Sequence, residues 1–111
     1  MPDQITVQEL ARRLAAAAEP TFIVDVRQPW EHATAALPDQ LLLPLNEIEE
    51  RWEEIGAAAP AGALIVTYCH HGIRSLNAAA FLESKGVHPV RSLAGGIEAW
   101  SSDVDPKIPR Y

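Results

Sequence analysis

The strongest constraint on the fold is an apolar run that ends at the only cysteine of the chain. Residues 63–68 read Ala-Leu-Ile-Val-Thr-Tyr, a run of strand length that is rich in β-branched side chains. A short loop from Cys69 to Arg74 follows, and an apolar helical segment begins at Ser75, a residue type that is favoured as an N-cap. The pattern predicts a strand, a loop and a helix, with Cys69 at the carboxyl end of the strand.

The rest of the chain repeats this alternation of strand and helix patterns. Further strands are predicted at 21–26, 41–43 and 90–93. Helices or helical turns are predicted at 6–19, 29–32, 47–55, 75–85 and 95–100. Apolar strands that alternate with helices are typical of a central parallel sheet with helices on both faces. The sequence therefore predicts an α/β fold of this kind, in which ligands bind beyond the carboxyl ends of the strands.

Length and composition are those of one small domain. The chain has 111 residues, 48% of them hydrophobic, which is enough to form a core without a metal or a disulfide. Residues 101–111 are polar and contain two prolines, so they are predicted to form an extended C-terminal tail. This tail either packs back on the domain or serves as a docking strip. We therefore expect a single domain over residues 1–111.

Charge and cysteine usage limit the partners and the compartment. The net charge of −6 disfavours nucleic acid and anionic membrane surfaces as general partners. A single cysteine cannot form an internal disulfide, which fits a reducing compartment. The first residues show no signal-peptide pattern, and no apolar run reaches transmembrane length. These features predict a cytoplasmic location.

The predicted position of Cys69 favours chemistry on its sulfur. The cysteine faces the start of a helix, where unpaired backbone N–H groups and the positive end of the helix dipole stabilise a thiolate. Gly72 can adopt backbone angles that are closed to other residues, so the loop can curl tightly. If the amides of residues 70–75 point inward, they form an anion-binding nest around the sulfur.

Charged and polar side chains in the same loop are candidates for substrate binding. Arg74 carries a permanent charge with a fork geometry that suits an oxyanion, and His70 and His71 can donate hydrogen bonds. Two other interpretations have to be weighed against this one. The first is that Cys69 is an inert thiol of the core, as free cysteines often are. The second is a zinc site, which is disfavoured because the adjacent His70 and His71 do not match the usual spacing of zinc ligands, so no metal is expected.

Three segments, in order along the chain, resemble those of rhodanese-like sulfurtransferases. Residues 69–75, Cys-His-His-Gly-Ile-Arg-Ser, resemble the family's active-site loop of the form Cys-x-x-Gly-x-Arg-Ser. Residues 25–31, Asp-Val-Arg-Gln-Pro-Trp-Glu, resemble its Asp-Val-Arg-x-x-x-Glu segment, and residues 93–100 are similar to its Leu-x-Gly-Gly-x-x-x-Trp segment. Residues 35–39, Ala-Ala-Leu-Pro-Asp, depart from the family's frequent Gly-His-Ile-Pro-Gly-Ala and keep only an aliphatic residue and the proline.

The resemblance implies a rhodanese-like fold and the activity of a thiosulfate sulfurtransferase. The Cys69 thiolate would attack the outer sulfur of thiosulfate or a similar donor, sulfite would leave, and a Cys69 persulfide would pass its sulfur to a thiol or to cyanide. No cofactor is implied. The residues implied to bind the substrate are His70, His71, Gly72, Ile73, Arg74 and Ser75. Asp25 and Arg27 are implied to support the site, although a plain structural ion pair explains them equally well.

Two other function classes remain open at this point. In the first, the protein is a persulfide carrier or interaction module, so that Cys69 receives sulfur from one protein partner and hands it to another. In the second, the protein handles phosphate or arsenate. Phosphatases that resemble this loop have five residues between the cysteine and the arginine, whereas four separate Cys69 from Arg74 here. The smaller loop favours sulfur as the atom that is transferred.

Overall fold

The computed structural model describes residues 2–16 and 19–111 and places a five-stranded sheet at the centre of the fold. Its strands are β1 (Asp3–Ile5), β2 (Thr21–Asp25), β3 (Leu41–Leu42), β4 (Leu64–Tyr68) and β5 (Val90–Leu93). The strand order is β1-β5-β4-β2-β3, and every neighbouring pair is parallel. All carboxyl ends therefore meet at one edge, with β4 and the cysteine that follows it in the middle.

Helices cover both faces of this sheet. They are α1 (Val7–Ala16), α2 (Pro29–Thr34), α3 (Ile48–Arg51), α4 (Glu53–Ala58), α5 (Ile73–Ser84) and α6 (Gly96–Asp103), with a 3₁₀ turn (Leu45–Glu47) before α3. Helices α3, α4 and α5 contribute to one apolar cluster, and α1 and α6 contribute to the other. The predicted α/β architecture with a central parallel sheet is confirmed.

The two apolar clusters follow from the alternation of side chains along the strands. In β2, Phe22 and Val24 face the cluster under α5, while Ile23 faces the cluster under α1. In β4 every residue is buried, which is expected for a central strand between two helical layers. This arrangement fixes the end of β4 firmly, so the loop that begins at Cys69 starts from a rigid support.

Several helix boundaries differ from those predicted. The predicted helix 47–55 is divided into α3 and α4 at Trp52, and Gly56 lies inside α4 instead of ending a helix. The predicted helix 6–19 is observed as α1 up to Ala16, and residues 17 and 18 lie outside the described part of the chain. No strand was predicted at β1, because a three-residue segment with two exposed side chains carries little hydrophobic pattern.

The C-terminal residues return to the body of the protein. Helix α6 continues to Asp103, so the first three residues of the predicted tail are helical. Beyond it, the Ser101 hydroxyl donates a hydrogen bond of 2.6 Å to the Ile108 carbonyl, and Ile108 and Tyr111 pack against the cluster under α1 and α6. The tail thus packs back on the domain and brings Tyr111 to the carboxyl edge of the sheet. None of the helices in the described residues has the length and apolar character needed to cross a membrane.

Candidate active site

Cys69 lies directly after β4 and is 2% exposed. Its Sγ accepts hydrogen bonds from the backbone N–H of Gly72 at 3.1 Å and of Ser75 at 3.4 Å. The Ser75 hydroxyl lies 3.5 Å from the same sulfur. Of the amides of residues 70–75 that were expected to surround the sulfur, these two make the contact. Donors fixed in this way stabilise a negative charge on Sγ, because they need no rearrangement when the charge forms.

The start of α5 explains why these amides point at the sulfur. Gly72 is the N-cap of α5, with a φ angle of 111°, a conformation that side chains with a Cβ rarely adopt. The helix therefore begins at Ile73, two residues before the predicted start, and the prediction of Ser75 as N-cap was wrong. Because Ser75 lies in the first turn of the helix, its N–H has no partner within the helix and is free to bond to Sγ.

Ser75 also fastens the loop to the neighbouring strands. Its hydroxyl lies 2.8 Å from the Ser92 hydroxyl on β5, and its carbonyl accepts a hydrogen bond of 2.9 Å from Thr67 on β4. All three residues are buried. Sequence reasoning missed Thr67 and Ser92, although polar residues inside two otherwise apolar strands were a visible signal of a buried hydrogen-bond network.

A second set of amides holds the loop from the side of α6. The N–H of Ile97 donates to the Cys69 carbonyl at 2.9 Å, and the N–H of Glu98 donates to the His70 carbonyl at 3.1 Å. Gly96 has a φ angle of 60°, and a Cβ at this position would collide with the Cys69 and His70 carbonyls. The glycine pair of residues 95–96 is therefore required for the close approach of α6 to the loop.

Arg74 forms a bidentate ion pair with Glu31 on α2. Its Nη1 and Nη2 donate to Oε1 and Oε2 of Glu31 at 2.7 Å and 2.9 Å. The bond from Arg74 lowers the pKa of the buried Glu31 carboxyl to about 2. This guanidinium joins α5 to α2, and its expected role in substrate binding stays a prediction. Glu31 stood in one of the family-like segments, and its partner could not be read from the sequence.

Asp25 and Arg27 form a second ion pair, and both side chains are fully buried. Arg27 Nη2 donates to Asp25 Oδ2 at 2.7 Å, and Arg27 also donates to the Ala35 carbonyl at 2.6 Å. The Asp25 carboxylate additionally lies 2.9 Å from Nδ1 of His32. The pair thus bonds to the middle and to the C-terminal end of α2, and its expected role in supporting the site stays a prediction.

One group of residues in the described part of the chain, Asp25, His32 and Asp39, has three potential metal-ligating atoms within 4.8 Å of one another. Both oxygens of Asp25 already accept hydrogen bonds from Arg27, so a cation would have to displace a buried guanidinium. Asp39 accepts a hydrogen bond of 2.6 Å from Tyr68, and burial raises the pKa of the Asp39 carboxyl. The group therefore functions as a hydrogen-bond network around α2.

Tyr111 connects the two ion pairs, and nothing in the sequence marked it as part of the site. Its hydroxyl donates to Glu31 at 2.8 Å and accepts from Arg27 at 2.8 Å. Burial raises the pKa of Tyr111 to about 12. Its ring stacks on the imidazole of His70 with centroids 4.0 Å apart. The predicted C-terminal tail therefore supplies a residue that borders the cysteine loop.

The fold and the site together define a class of α/β proteins that hold a cysteine side chain at a helix N-terminus, beyond the carboxyl edge of a parallel sheet. The rhodanese-like domain family matches residues 6–103 of the chain. This chain belongs to the rhodanese-like family, and the resemblance inferred from the three sequence segments is confirmed.

Individual relatives agree with this assignment. A protein named sulfurtransferase from Allochromatium vinosum is 40% identical over 101 residues, which are 91% of this chain and 90% of that protein. The maize protein named adenylyltransferase and sulfurtransferase MOCS3-1 is 32% identical, and the match covers 97% of this chain but only 24% of its own length. The crystal structure of a rhodanese-like domain protein from Staphylococcus aureus superposes with a TM-score of 0.78 at 27% identity and covers 98% of both chains.

We predict that Gly96→Ala destabilises the protein by about 3 kcal/mol, because the new Cβ meets two backbone carbonyls at a positive φ angle. Thermal and urea unfolding measure the change. Gly56→Ala is the matched control, since Gly56 lies inside α4 with no atom near the position of a Cβ. This control is expected to be neutral or stabilising by up to about 1 kcal/mol. Equal stability of the two variants would show that α6 does not lock the loop.

We also predict a pH-dependent effect of Glu31→Gln. The pKa of Glu31 is lowered from 4.5 to about 2 on folding, so its charge stabilises the fold above pH 4.5, and this contribution is lost as the pH falls towards 2. Glu31→Gln should therefore reduce the unfolding free energy by about 3 kcal/mol at neutral pH and by much less in strong acid. Urea unfolding across this range measures the difference. Glu54→Gln, which breaks an exposed pair with Arg51, is the control with little effect. A loss that is independent of pH would contradict the proposed role of the charge.

Proposed function

We propose that this protein is a sulfurtransferase, in which Cys69 takes a sulfane sulfur from thiosulfate or a similar donor and passes it to a thiophilic acceptor. The observation that carries the proposal is the position of Sγ, buried at the N-terminus of α5 with the N–H groups of Gly72 and Ser75 directed at it. The names of the relatives from Allochromatium vinosum and maize, both called sulfurtransferases, support it.

The reaction consists of two displacements on sulfur. In the first, the Cys69 thiolate attacks the outer sulfur of thiosulfate, the S–S bond breaks, and sulfite leaves with the bonding electron pair. The product is a persulfide on Cys69, whose negative charge lies at the positive end of α5. In the second step, cyanide or a thiolate attacks the terminal sulfur and Cys69 leaves as a thiolate. No general base is required, because the loop amides stabilise the thiolate in both states.

Loop size and the pairing of Arg74 both favour sulfur over phosphate as the transferred group. Four residues separate Cys69 from Arg74, and the arginine gives two of its donors to Glu31. A loop that binds the three outer oxygens of a transferred phosphoryl group needs donors around a larger radius. The two amides on Sγ suit the smaller charge of a thiolate or persulfide.

A persulfide carrier that serves a partner enzyme is the second candidate function. A carrier also forms a persulfide on Cys69. It differs from the enzyme in that both the sulfur donor and the sulfur acceptor are proteins. The observation in its favour is that the chain matches about a quarter of the maize relative, where the similar segment belongs to a larger protein. Either function requires a reduced Cys69, which is why we propose that the protein acts in a reducing compartment such as the cytoplasm.

Sulfur loading of Cys69 is the direct test. The purified protein, incubated with thiosulfate, should gain the mass of one sulfur atom and lose it again on addition of a thiol reductant. Cys69→Ser should gain nothing, because a serine hydroxyl is far too weak an acid to supply the nucleophile at neutral pH. Intact-mass spectrometry measures both, and a thermal melt of the variant checks its fold. Repeated turnover with cyanide would identify an enzyme, whereas loading that unloads only to proteins would identify a carrier. Sulfur gained by Cys69→Ser would overturn both.

A further inference from the structure

Two large apolar side chains remain exposed next to the cysteine loop. Trp30 is 63% exposed and Ile73 is 75% exposed, the largest such exposures in the described part of the chain. Trp30 directly precedes Glu31, and Ile73 directly precedes Arg74. Because Glu31 and Arg74 bond to each other, α2 and α5 meet beside the cysteine loop, and each helix carries one of these exposed side chains next to the ion pair.

Aromatic rings continue this apolar edge along the loop. Trp30 meets the ring of Tyr111 edge to face at 5.9 Å, Tyr111 stacks on His70 at 4.0 Å, and His70 stacks on His71 at 4.1 Å. The hydroxyl of Tyr111 is bonded to Arg27 and Glu31, so the middle of the row is fixed. We call Trp30, Ile73 and these rings the mouth surface. Rings that are already in place lose little conformational freedom when a partner binds.

The charges that border the mouth surface are neutralised by pairing. Arg74 bonds to Glu31, and Arg110 pairs with Glu98. Burial and the neighbouring His71 lower the pKa of His70, which disfavours a charge on its ring. The chain as a whole carries a charge of −6, which repels anionic partners. Because the neighbouring charged groups are paired, the mouth surface suits an uncharged, apolar partner better than an anionic one.

From these three features we infer that the mouth surface docks an apolar, cysteine-containing segment of an acceptor protein. The inference rests on the proposed function, because it identifies the acceptor of the Cys69 persulfide. The acceptor's thiolate attacks the terminal sulfur of the persulfide, and the bond between that sulfur and Sγ breaks. Cys69 leaves as a thiolate with the electron pair of that bond, and the acceptor carries the sulfur and the negative charge as a new persulfide. Apolar side chains beside the acceptor cysteine pack against Trp30 and Ile73.

The test measures how fast sulfur-loaded protein is unloaded by three short peptides. Each has one cysteine, flanked by leucines, by glutamates or by lysines, and cyanide serves as the acceptor with no side chains. The leucine peptide should react at least about tenfold faster than the other two, since the gain comes from apolar burial. Trp30→Ala and Ile73→Ala should each lower the ratio of the leucine-peptide rate to the cyanide rate about five- to tenfold. Asn77→Ala, an exposed change on the same helix as Ile73, should leave this ratio unchanged.

Each outcome bears on the inference. Equal rates for the three peptides, or the fastest rate with the lysine peptide, would overturn it, because the surface would then select no acceptor or would select by charge. Unchanged ratios in both Trp30→Ala and Ile73→Ala would overturn it as well. Rapid unloading by cyanide in these cases would leave the proposed sulfur transfer intact. Failure of Cys69 to take up sulfur from any donor would overturn the proposed function, and this inference with it.

Discussion

The contact on which the rest of the site depends is the pair of hydrogen bonds from the first turn of α5 to Sγ of Cys69. These bonds form because β4 ends at the cysteine and Gly72, at a φ angle of 111°, turns the chain directly into the helix. Helix α6 holds the loop in this conformation from the other side, because its first N–H groups donate hydrogen bonds to carbonyls of the loop. The amides are therefore in place before any charge develops on the sulfur, which is the condition for electrostatic stabilisation of a thiolate or persulfide.

The charged residues around the loop join separate elements of the structure through ion pairs. Arg74 joins α5 to α2 through Glu31, and Arg27 holds α2 against the sheet, with Tyr111 between the two pairs. Pairing in this way neutralises the edge of the site and leaves apolar and aromatic groups exposed there. In the proposed reaction, the acceptor is therefore selected through packing at this edge, while the transfer of sulfur depends on the backbone N–H groups at Sγ.

The fold was predictable because its signals are local. Apolar strands, glycines and helix starts identified the parallel sheet, and the run from Cys69 to Ser75 identified the loop that places the cysteine at the start of a helix. What could not be predicted depends on contacts between distant parts of the chain. Glu31 became the partner of Arg74 only once α2 lay beside α5, and Tyr111 reached the loop only because Ile108 packs under α6. The exact start of α5 was missed, because Ser75 is a residue type that favours the N-cap position and was taken for the start of the helix. The N-cap is Gly72, three residues before Ser75, which adopts a positive φ angle.

A crystal structure of the protein after exposure to thiosulfate tests the central claim most directly. If the loop amides hold the transferred sulfur, density for one added sulfur should lie about 2.05 Å from Sγ of Cys69. This sulfur should lie inside the loop, within hydrogen-bond distance of backbone N–H groups between residues 70 and 75. An added sulfur that points into solvent, away from these amides, would contradict the account. So would an unmodified Cys69 in protein that mass spectrometry shows to carry sulfur.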